Sequence, residues 1–265
     1  MIKDFPVEDF FIRAAGRRLQ ARRLGRHNKG PALVFLHEGL GSIAQWRDFP
    51  ELLCRKAGLP GLIYDRLGYG GSEPINEKRR VEYLHEEALA SLPEVLQKCH
   101  VGKALFVGHS DGGSIALLFA AVHPERTAGV ITEAAHVFVE DVTVDGIRAA
   151  VALYERGDLK EKLARYHAGN TEGAFRGWAD TWLAPEFRNW NIEEYLSSIH
   201  APLLAIQGCN DPYGTPAQVK SIVSRVNGPA RGLIIPGCGH IPHIQAKQRV
   251  LSEMAEFVLE HALVI

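Results

Sequence analysis

The chain has 265 residues, 46% of them hydrophobic, and a formal net charge of −1. This composition is typical of a globular protein with one sizeable core, and it gives no overall attraction to nucleic acid or to a membrane surface. One local exception is the run of residues 16–30, which holds six basic residues and no acidic one. Apolar residues alternate with its arginines, so we interpret it as a solvated hairpin rather than a polyanion site.

Cysteine usage and the N-terminus indicate the compartment. The four cysteines are far apart and form neither a disulfide framework nor a CxxC pair. The N-terminal residues include acidic side chains and a proline where a signal peptide needs an apolar stretch. No apolar run approaches the ~20 residues of a membrane span. We therefore expect a cytoplasmic protein with a small-molecule substrate, no nucleic-acid partner and no membrane partner, and a homodimer stays open.

In chain order, the first predicted element is an antiparallel hairpin at one edge of a sheet, because residues 9–25 alternate and have Gly16 in the middle. Six short aliphatic runs then predict strands. Runs that are apolar throughout suit a parallel sheet covered on both faces. These runs are residues 31–37, 61–65, 103–109, 127–135, 202–208 and 231–237.

Helical patterns stand between the strands, which predicts an α/β fold with a doubly wound, mostly parallel sheet and right-handed crossovers. The patterns cover residues 81–99, 112–123, 215–228 and 242–262.

Residues 137–196 interrupt this alternation, because the pattern there is helical without a convincing strand. We predict a helical cap inserted into a core made of residues 1–136 and 197–265. Its seven basic and eleven acidic residues give a net charge of −4, which argues against a polyanionic substrate such as a coenzyme A thioester.

The sequence GHSDG, residues 108–112, places Ser110 between two glycines where a predicted strand turns into a helix. In an open parallel sheet, reactive groups gather beyond the carboxyl ends of the strands. A serine at such a turn needs small neighbours, and the pattern G-x-S-x-G in a strand–turn–helix context is a nucleophile elbow. Ser110 is therefore a candidate nucleophile.

A serine nucleophile needs a base, and the base needs a carboxylate that fixes its tautomer. Asp211 follows the predicted strand 202–208, and His240 follows the predicted strand 231–237. Either residue alone would be read as a turn or helix-start residue. The order serine, acid, histidine at three strand ends predicts a catalytic triad.

At this point the chain resembles the α/β-hydrolase superfamily over nearly its whole length. The sequence FLHEGLGS (35–42) resembles the family's His-Gly oxyanion loop, and YDRLGYGGS (64–72) resembles its D-x-x-G-x-G-x-S turn. The resemblance implies a Ser110–His240–Asp211 triad, a helical cap and an acyl-enzyme route. It also implies an oxyanion hole from the backbone N–H groups of Asp111 and Gly39, with Leu40 as the alternative to Gly39.

Glu38 departs from this resemblance, because the family has glycine after the loop histidine. A carboxylate that faced an oxyanion ~4 Å away would oppose it by about 4 kcal/mol even at an effective dielectric constant near 20. We therefore predict that Glu38 turns away and forms an ion pair with Arg66, which supports the loop and takes no part in proton transfer.

Several further side chains can be interpreted either as part of a site or as structural residues. Cys209 and Cys238 stand two residues before Asp211 and His240 and superficially offer a metal site, but we interpret them as buried free thiols and predict no metal. Candidate pocket residues are His136, His243, Trp178 and Trp182. The histidines line the mouth of the site or are structural, and the tryptophans roof the pocket or attach the cap to the core.

These residues predict a serine hydrolase that cleaves a carboxylic ester of a small, fairly apolar substrate without a cofactor. Carbon–carbon bond hydrolysis of ring-cleavage products, lactone hydrolysis and perhydrolysis use the same triad and fold. A pseudoenzyme that binds a ligand on this fold is the alternative from another class, and the complete triad argues against it.

Overall fold

The computed structural model describes residues 5–26, 30–75 and 77–262, which form an eight-stranded sheet with the order β1-β2-β4-β3-β5-β6-β7-β8. β1 is antiparallel to β2 and β2 to β4, while the remaining pairs are parallel. The predicted α/β fold is thereby confirmed. The strands are β1 (Val7–Ala14), β2 (Arg17–Leu24), β3 (Ala32–Leu36), β4 (Gly61–Tyr64), β5 (Ala104–His109), β6 (Thr127–Glu133), β7 (Leu203–Gly208) and β8 (Ala230–Ile235).

Helices cover both faces of the sheet, so that β3 to β7 are buried along their whole length. This double cover explains why these strands are apolar throughout instead of alternating. The helices are α1 (Phe49–Ala57), α2 (Tyr83–Glu86), α3 (Leu92–Lys98), α4 (Asp111–Val122), α5 (Asp141–Arg156), α6 (Leu159–His167), α7 (Thr171–Trp182), α8 (Glu193–Leu196), α9 (Ala217–Arg225), α10 (Pro242–Gln245) and α11 (Lys247–Ala262), with a π-helical turn Glu87–Ser91 between α2 and α3.

The basic run lies on the hairpin β1–β2, as expected. Two of its arginines pair with acidic residues of the opposite strand: Arg22 with Asp9 at 2.6 Å and Arg23 with Glu8 at 2.9 Å. These side chains are partly exposed, which fits the interpretation as a solvated hairpin. Residues 27–29 of the run lie outside the described part of the chain.

Two helices differ from the expectation. The sequence pattern did not predict α1, which has Pro50 in its first turn and ends at Gly58 with a left-handed φ of 70°. Proline at the start and glycine just past the end are ordinary helix boundary signals. The single helix predicted for 242–262 is divided at Ala246 into α10 and α11.

Residues 137–196 are helical, as predicted, and follow β6 at the carboxyl edge of the sheet. Four helices, α5 to α8, fall in this insertion, together with short 3₁₀ turns. A single isolated bridge, Phe138 to Asn191, joins its two ends. The two ends of the insertion therefore lie side by side, and α8 then leads the chain back to the start of β7, which is parallel to β6.

No helix in the described ranges combines the length and apolar character that crossing a lipid bilayer requires. All four cysteines carry free thiols. The expectation of a buried thiol is confirmed for Cys238. Cys209 is exposed, because it lies in the loop that leaves the sheet, and its Sγ contacts the side chain of Asn210 at 3.0 Å.

Candidate active site

Ser110 stands between β5 and α4 in a strained conformation, with φ 52° and ψ −116°. A positive φ is costly for a residue with a side chain and persists only where the surrounding structure enforces it. Here the amide of Ser110 donates to the carbonyl of Glu133 on the neighbouring strand at 2.8 Å. The turn is therefore fixed from the adjacent strand as well as by its own helix.

The neighbouring glycines are required by close backbone contacts. A Cβ on Gly108 would lie 2.2 Å from the carbonyl oxygen of Gly112. A Cβ on Gly112 would lie 2.0 Å from the carbonyl oxygen of Leu36, at the end of β3. The spacing G-x-S-x-G thus brings the Ser110 turn against the end of β3, where the predicted oxyanion loop begins.

His240 and Asp211 meet across the ends of β8 and β7, with His240 Nδ1 2.8 Å from Asp211 Oδ2. The carboxylate also accepts hydrogen bonds from the side chain of Gln207 at 2.7 Å and the amide of Tyr213 at 2.8 Å. Three donors therefore fix this carboxylate, which in turn sets the orientation of the His240 ring.

The pKa values follow from this pairing. Burial by itself raises the pKa of Asp211, but the hydrogen bond and charge of His240 outweigh it, and the net pKa is lowered. Burial by itself lowers the pKa of His240, but the Asp211 hydrogen bond and charge, together with the charge of Glu38, raise it above its ordinary value of 6.5. The pair therefore favours a charged carboxylate and an imidazole that is more basic than usual.

The loop after β3, residues 37–42, is called the β3 loop below. Arg66 holds its start: the guanidinium donates to the carbonyl of Glu38 at 2.7 Å, and the amide of Arg66 donates to His37 Nε2 at 3.1 Å. From the insertion, His167 donates to the carbonyl of Leu40 at 2.9 Å. The ring of Trp178 lies so close that a Cβ on Gly39 would be 2.3 Å from it.

The predicted Glu38–Arg66 ion pair is not formed. The Arg66 guanidinium is turned toward the buried carboxylate of Asp111, 3.5 Å away, and it reaches Glu38 only at the main-chain carbonyl. The Glu38 side chain faces the site instead, with its carboxylate within 4.8 Å of ring nitrogens of His240 and His109. A buried guanidinium gains more from the fully buried Asp111 than from the half-buried Glu38.

Asp111, the residue after Ser110, is connected to the insertion by a chain of hydrogen bonds. Trp182 Nε1 donates to the hydroxyl of Tyr83 at 2.8 Å, and this hydroxyl donates to Asp111 Oδ2 at 2.6 Å. All three side chains are buried. The first turn of α4 is thereby held by both α2 and α7.

A comparison with known proteins agrees with this geometry. The family model described as alpha/beta hydrolase fold matches residues 31–193, which is more than half of the chain. The chain belongs to the alpha/beta hydrolase family. The predicted family and the predicted hydrolase class are thus confirmed.

Known proteins similar to this chain include hydrolases that are named for different substrates. The chain is 29% identical over 251 residues to a pimeloyl-[acyl-carrier protein] methyl ester esterase of Edwardsiella ictaluri, with 85% of this chain and 92% of the relative covered. It is 21% identical to a proline iminopeptidase of Lactobacillus delbrueckii subsp. bulgaricus, with 90% and 93% covered. The solved 2-hydroxy-6-oxo-6-phenylhexa-2,4-dienoate hydrolase of Rhodococcus sp. strain RHA1 has the same fold, with a TM-score of 0.80 at 15% identity and 96% and 99% coverage.

The two candidate histidines have different surroundings in this hydrolase. His136 lies with its ring centre 6.3 Å from that of His240, and its Nε2 is 2.9 Å from the carbonyl of Tyr213. His243 is buried and its Nδ1 lies 2.6 Å from the carboxylate of Glu133, which is also buried. His243 thus forms part of the cavity wall while it also anchors the end of β6.

The two candidate tryptophans also differ. Trp178 lies over Gly39 and its ring is 6.2 Å from that of Tyr213, which in turn packs 4.7 Å from His240. Trp182 contacts His136 at 5.2 Å but is bonded to Tyr83 in the core. Trp178 therefore roofs the β3 loop, while Trp182 attaches the insertion to the core.

The positions of the side chains do not support a metal site formed by Cys209 and Cys238. The exposed Cys209 accepts from the amide of Gly237, and Cys238 contacts Gln245. Within the described ranges, the side chains close enough to share an ion are instead Glu38, His109 and His240. Because His240 is already bonded to Asp211, this cluster overlaps the candidate active site.

Sequence reasoning missed several residues that shape the site. Gln207 and Tyr213 hold Asp211, Tyr83 holds Asp111, and Glu133 holds His243. Gln207 and Glu133 carried one signal, since each is a polar residue inside an apolar run that forms a buried strand. Tyr83 gave no such signal, because a tyrosine in an amphipathic helix is ordinary.

Proposed function

We propose that this protein is a serine hydrolase that cleaves a carboxylic ester of a small, fairly apolar substrate through an acyl-enzyme intermediate. The observation that carries the proposal is the strained Ser110 turn together with the His240–Asp211 pair, whose nitrogen and oxygen are 2.8 Å apart. The two are connected by His109, which precedes Ser110 and whose Nε2 lies 2.7 Å from the main-chain carbonyl oxygen of His240. Ser110, Asp211 and His240 follow the parallel strands β5, β7 and β8, and their chain order is that of the triad in this fold.

In the proposed reaction, His240 takes the hydroxyl proton as Ser110 Oγ attacks the ester carbonyl. The bond between the carbonyl carbon and the alcohol oxygen then breaks, and His240 gives its proton to the departing alcohol. Water repeats the sequence on the acyl-enzyme: His240 removes a proton from water, the hydroxide attacks, and Ser110 recovers its proton as the acid leaves.

Asp211 would keep His240 in the tautomer with the proton on Nδ1 and stabilise the imidazolium that forms in each step. The raised pKa of His240 supports this role, because a more basic imidazole is a better proton acceptor for a hydroxyl. The hydrogen bonds from Gln207 and Tyr213 supply the rigidity that this orientation needs.

The oxyanion would be held by the backbone N–H groups of Asp111 and Gly39. Each such donor is worth roughly 100- to 1000-fold in rate. The close contact of Gly112 with the end of β3 supports the placement, since it brings the two donors' segments together. The hydrogen bond from Tyr83 to the side chain of Asp111 would stop that segment from moving.

Substrate size is argued from the cavity beside the site. Its volume is ≈ 190 Å³, and Trp46, Ile241 and Ile244 are among its lining residues. Such a volume is below that of pockets for drug-sized ligands, which are ~300–1000 Å³. In this proposal the insertion acts as a cap. A methyl ester esterase at 29% identity supports ester cleavage, whereas the carbon–carbon bond hydrolase at 15% identity supports the fold alone.

The test uses a fluorophosphonate probe, which labels an activated serine. We expect the protein to be labelled, the Ser110→Ala variant to remain unlabelled, and the control Ser252→Ala, on the exposed face of α11, to be labelled like the parent. A folded parent protein without labelling would reject the serine mechanism and favour a ligand-binding pseudoenzyme.

Substrate panels then separate the possible reactions. Aryl esters, lactones and dienoic keto acids are offered in parallel to fresh protein that has not been treated with the probe. We expect kcat/KM to be larger for small esters than for lactones or dienoic keto acids. Turnover confined to lactones or to dienoic keto acids would replace ester cleavage by the corresponding reaction.

A further inference from the structure

The side chain of Glu38 is placed where a hydrolase would be expected to avoid negative charge. Its carboxylate lies within 4.8 Å of a ring nitrogen of His240 and of a ring nitrogen of His109. It also lines the ≈ 190 Å³ cavity beside the site. Glu38 is half-buried, so the carboxylate is only partly screened by water.

No cation in the described ranges neutralises this carboxylate, since none forms an ion pair with it within 4.0 Å. Arg66 is engaged by Asp111 and by main-chain carbonyls. Arg47, the basic residue on the cavity wall, is exposed. The charge acts on its neighbours all the same, because it raises the pKa of His240 and of Tyr213.

The position also indicates which part of a substrate lies next to Glu38. His240 gives its proton to the departing alcohol, so groups within about 5 Å of its ring nitrogens border the alcohol portion of an ester. An uncompensated carboxylate there opposes the oxyanion. A positive charge on the alcohol portion would remove that opposition and would gain a charge-assisted hydrogen bond.

We infer that Glu38 binds a protonated amine carried on the alcohol portion of the ester, so that the preferred substrate is an amino-alcohol ester. The inference rests on the proposed function for the direction in which the substrate lies. The apolar wall residues Trp46 and Ile244 suit the alkyl groups of such an amine.

The first experiment measures binding without turnover. In the Ser110→Ala background, the dissociation constant of dimethylaminoethyl acetate is compared with that of isopentyl acetate by NMR titration at pH 7. The two esters have the same shape, and only the first is cationic. We expect the cationic ester to bind more tightly, and Glu38→Gln to remove about 10- to 100-fold of that preference.

Glu186→Gln is the matched control, because it removes one negative charge from an exposed 3₁₀ turn of the insertion. It should keep the preference for the cationic ester. An equal preference in Ser110→Ala with and without Glu38→Gln overturns the inference, as does tighter binding of the neutral ester.

The second experiment measures kcat/KM of both esters in the otherwise unmodified protein. Glu38→Gln should lower kcat/KM for the cationic ester and raise it for the neutral one, because removal of the carboxylate relieves its repulsion of the oxyanion. A gain for both esters alike would show that Glu38 does not bind the amine. If Ser110→Ala still hydrolyses either ester, the serine mechanism fails while the binding comparison still decides the role of Glu38.

Discussion

The Ser110 turn and the β3 loop lie side by side at the same edge of the sheet, but different forces hold them. The turn is fixed by its backbone: a Cβ on Gly108 or Gly112 would come within 2.2 Å or less of a carbonyl oxygen. The β3 loop is fixed by side chains from elsewhere, namely Arg66 and His167. Backbone contacts admit only glycine, whereas side-chain support leaves the loop free to carry an unusual residue such as Glu38.

The largest effect is expected on the side of the turn, where the proposed triad would act as one unit. Asp211→Asn should lower kcat by about 10⁴-fold, because the amide no longer stabilises the Nδ1–H tautomer of His240. Stopped-flow or steady-state ester kinetics measure this, with circular dichroism as the check that the fold persists. A decrease of less than about tenfold would mean that Asp211 does not orient His240.

The second prediction concerns the support of the loop. Arg66→Ala should lower the free energy of unfolding by about 3–5 kcal/mol, because it leaves the buried carboxylate of Asp111 without its cation. Denaturant unfolding measures this change. Adding Glu38→Gln should restore none of it, since Arg66 contacts only the main-chain carbonyl of Glu38.

Recovery of stability in that double variant would instead indicate an ion pair between Arg66 and the Glu38 carboxylate in solution. Arg55→Ala is the control, because Arg55 pairs with Glu51 in a surface i,i+4 pair. Its loss should cost less than about 1 kcal/mol.

The third prediction tests the link between the insertion and the loop. His167 accepts a hydrogen bond from the amide of Gly70 at 3.0 Å and donates one to the carbonyl of Leu40 at 2.9 Å. His167→Ala leaves both groups without a partner, which costs about 1–3 kcal/mol. We expect a lower melting temperature and about a tenfold lower kcat with little change in KM, because Leu40 adjoins the proposed donor Gly39.

His167→Gln should recover part of the loss in kcat through one of the two hydrogen bonds. The neighbouring, exposed Arg165→Ala should behave like the parent protein. An unchanged kcat in His167→Ala would show that this contact serves only to hold the insertion.

The smallest effect is a shift of the pH profile. In the proposed mechanism only neutral His240 accepts the proton of Ser110, so kcat/KM should fall as the pH decreases through the raised pKa of His240. The negative charge of Glu38 favours the protonated ring, and Glu38→Gln should therefore move this acid limb to lower pH. The pH dependence of kcat/KM on a neutral ester measures this shift. An acid limb that stays at the same pH in Glu38→Gln would show that the charge of Glu38 does not affect the protonation of His240.

The sequence by itself determined the parts of this protein that depend on backbone geometry. Continuous apolar runs predicted the buried strands, and G-x-S-x-G predicted the turn, because only glycine allows the contacts at residues 108 and 112. Polar residues at the ends of β7 and β8 predicted the meeting of Asp211 and His240, since neighbouring parallel strands end at the same edge.

The tertiary structure alone decided which partners the polar side chains take. Glu38 and Arg66 stand at the ends of the neighbouring strands β3 and β4, so their pairing was a reasonable expectation. It failed because Asp111 and Tyr83, remote in sequence, form a buried site that attracts the guanidinium more strongly. The buried contact between Glu133 and His243 likewise joins residues that are 110 positions apart in the sequence. Strand position can be read from local sequence, but the partner of a buried charge depends on every group that packing brings within reach.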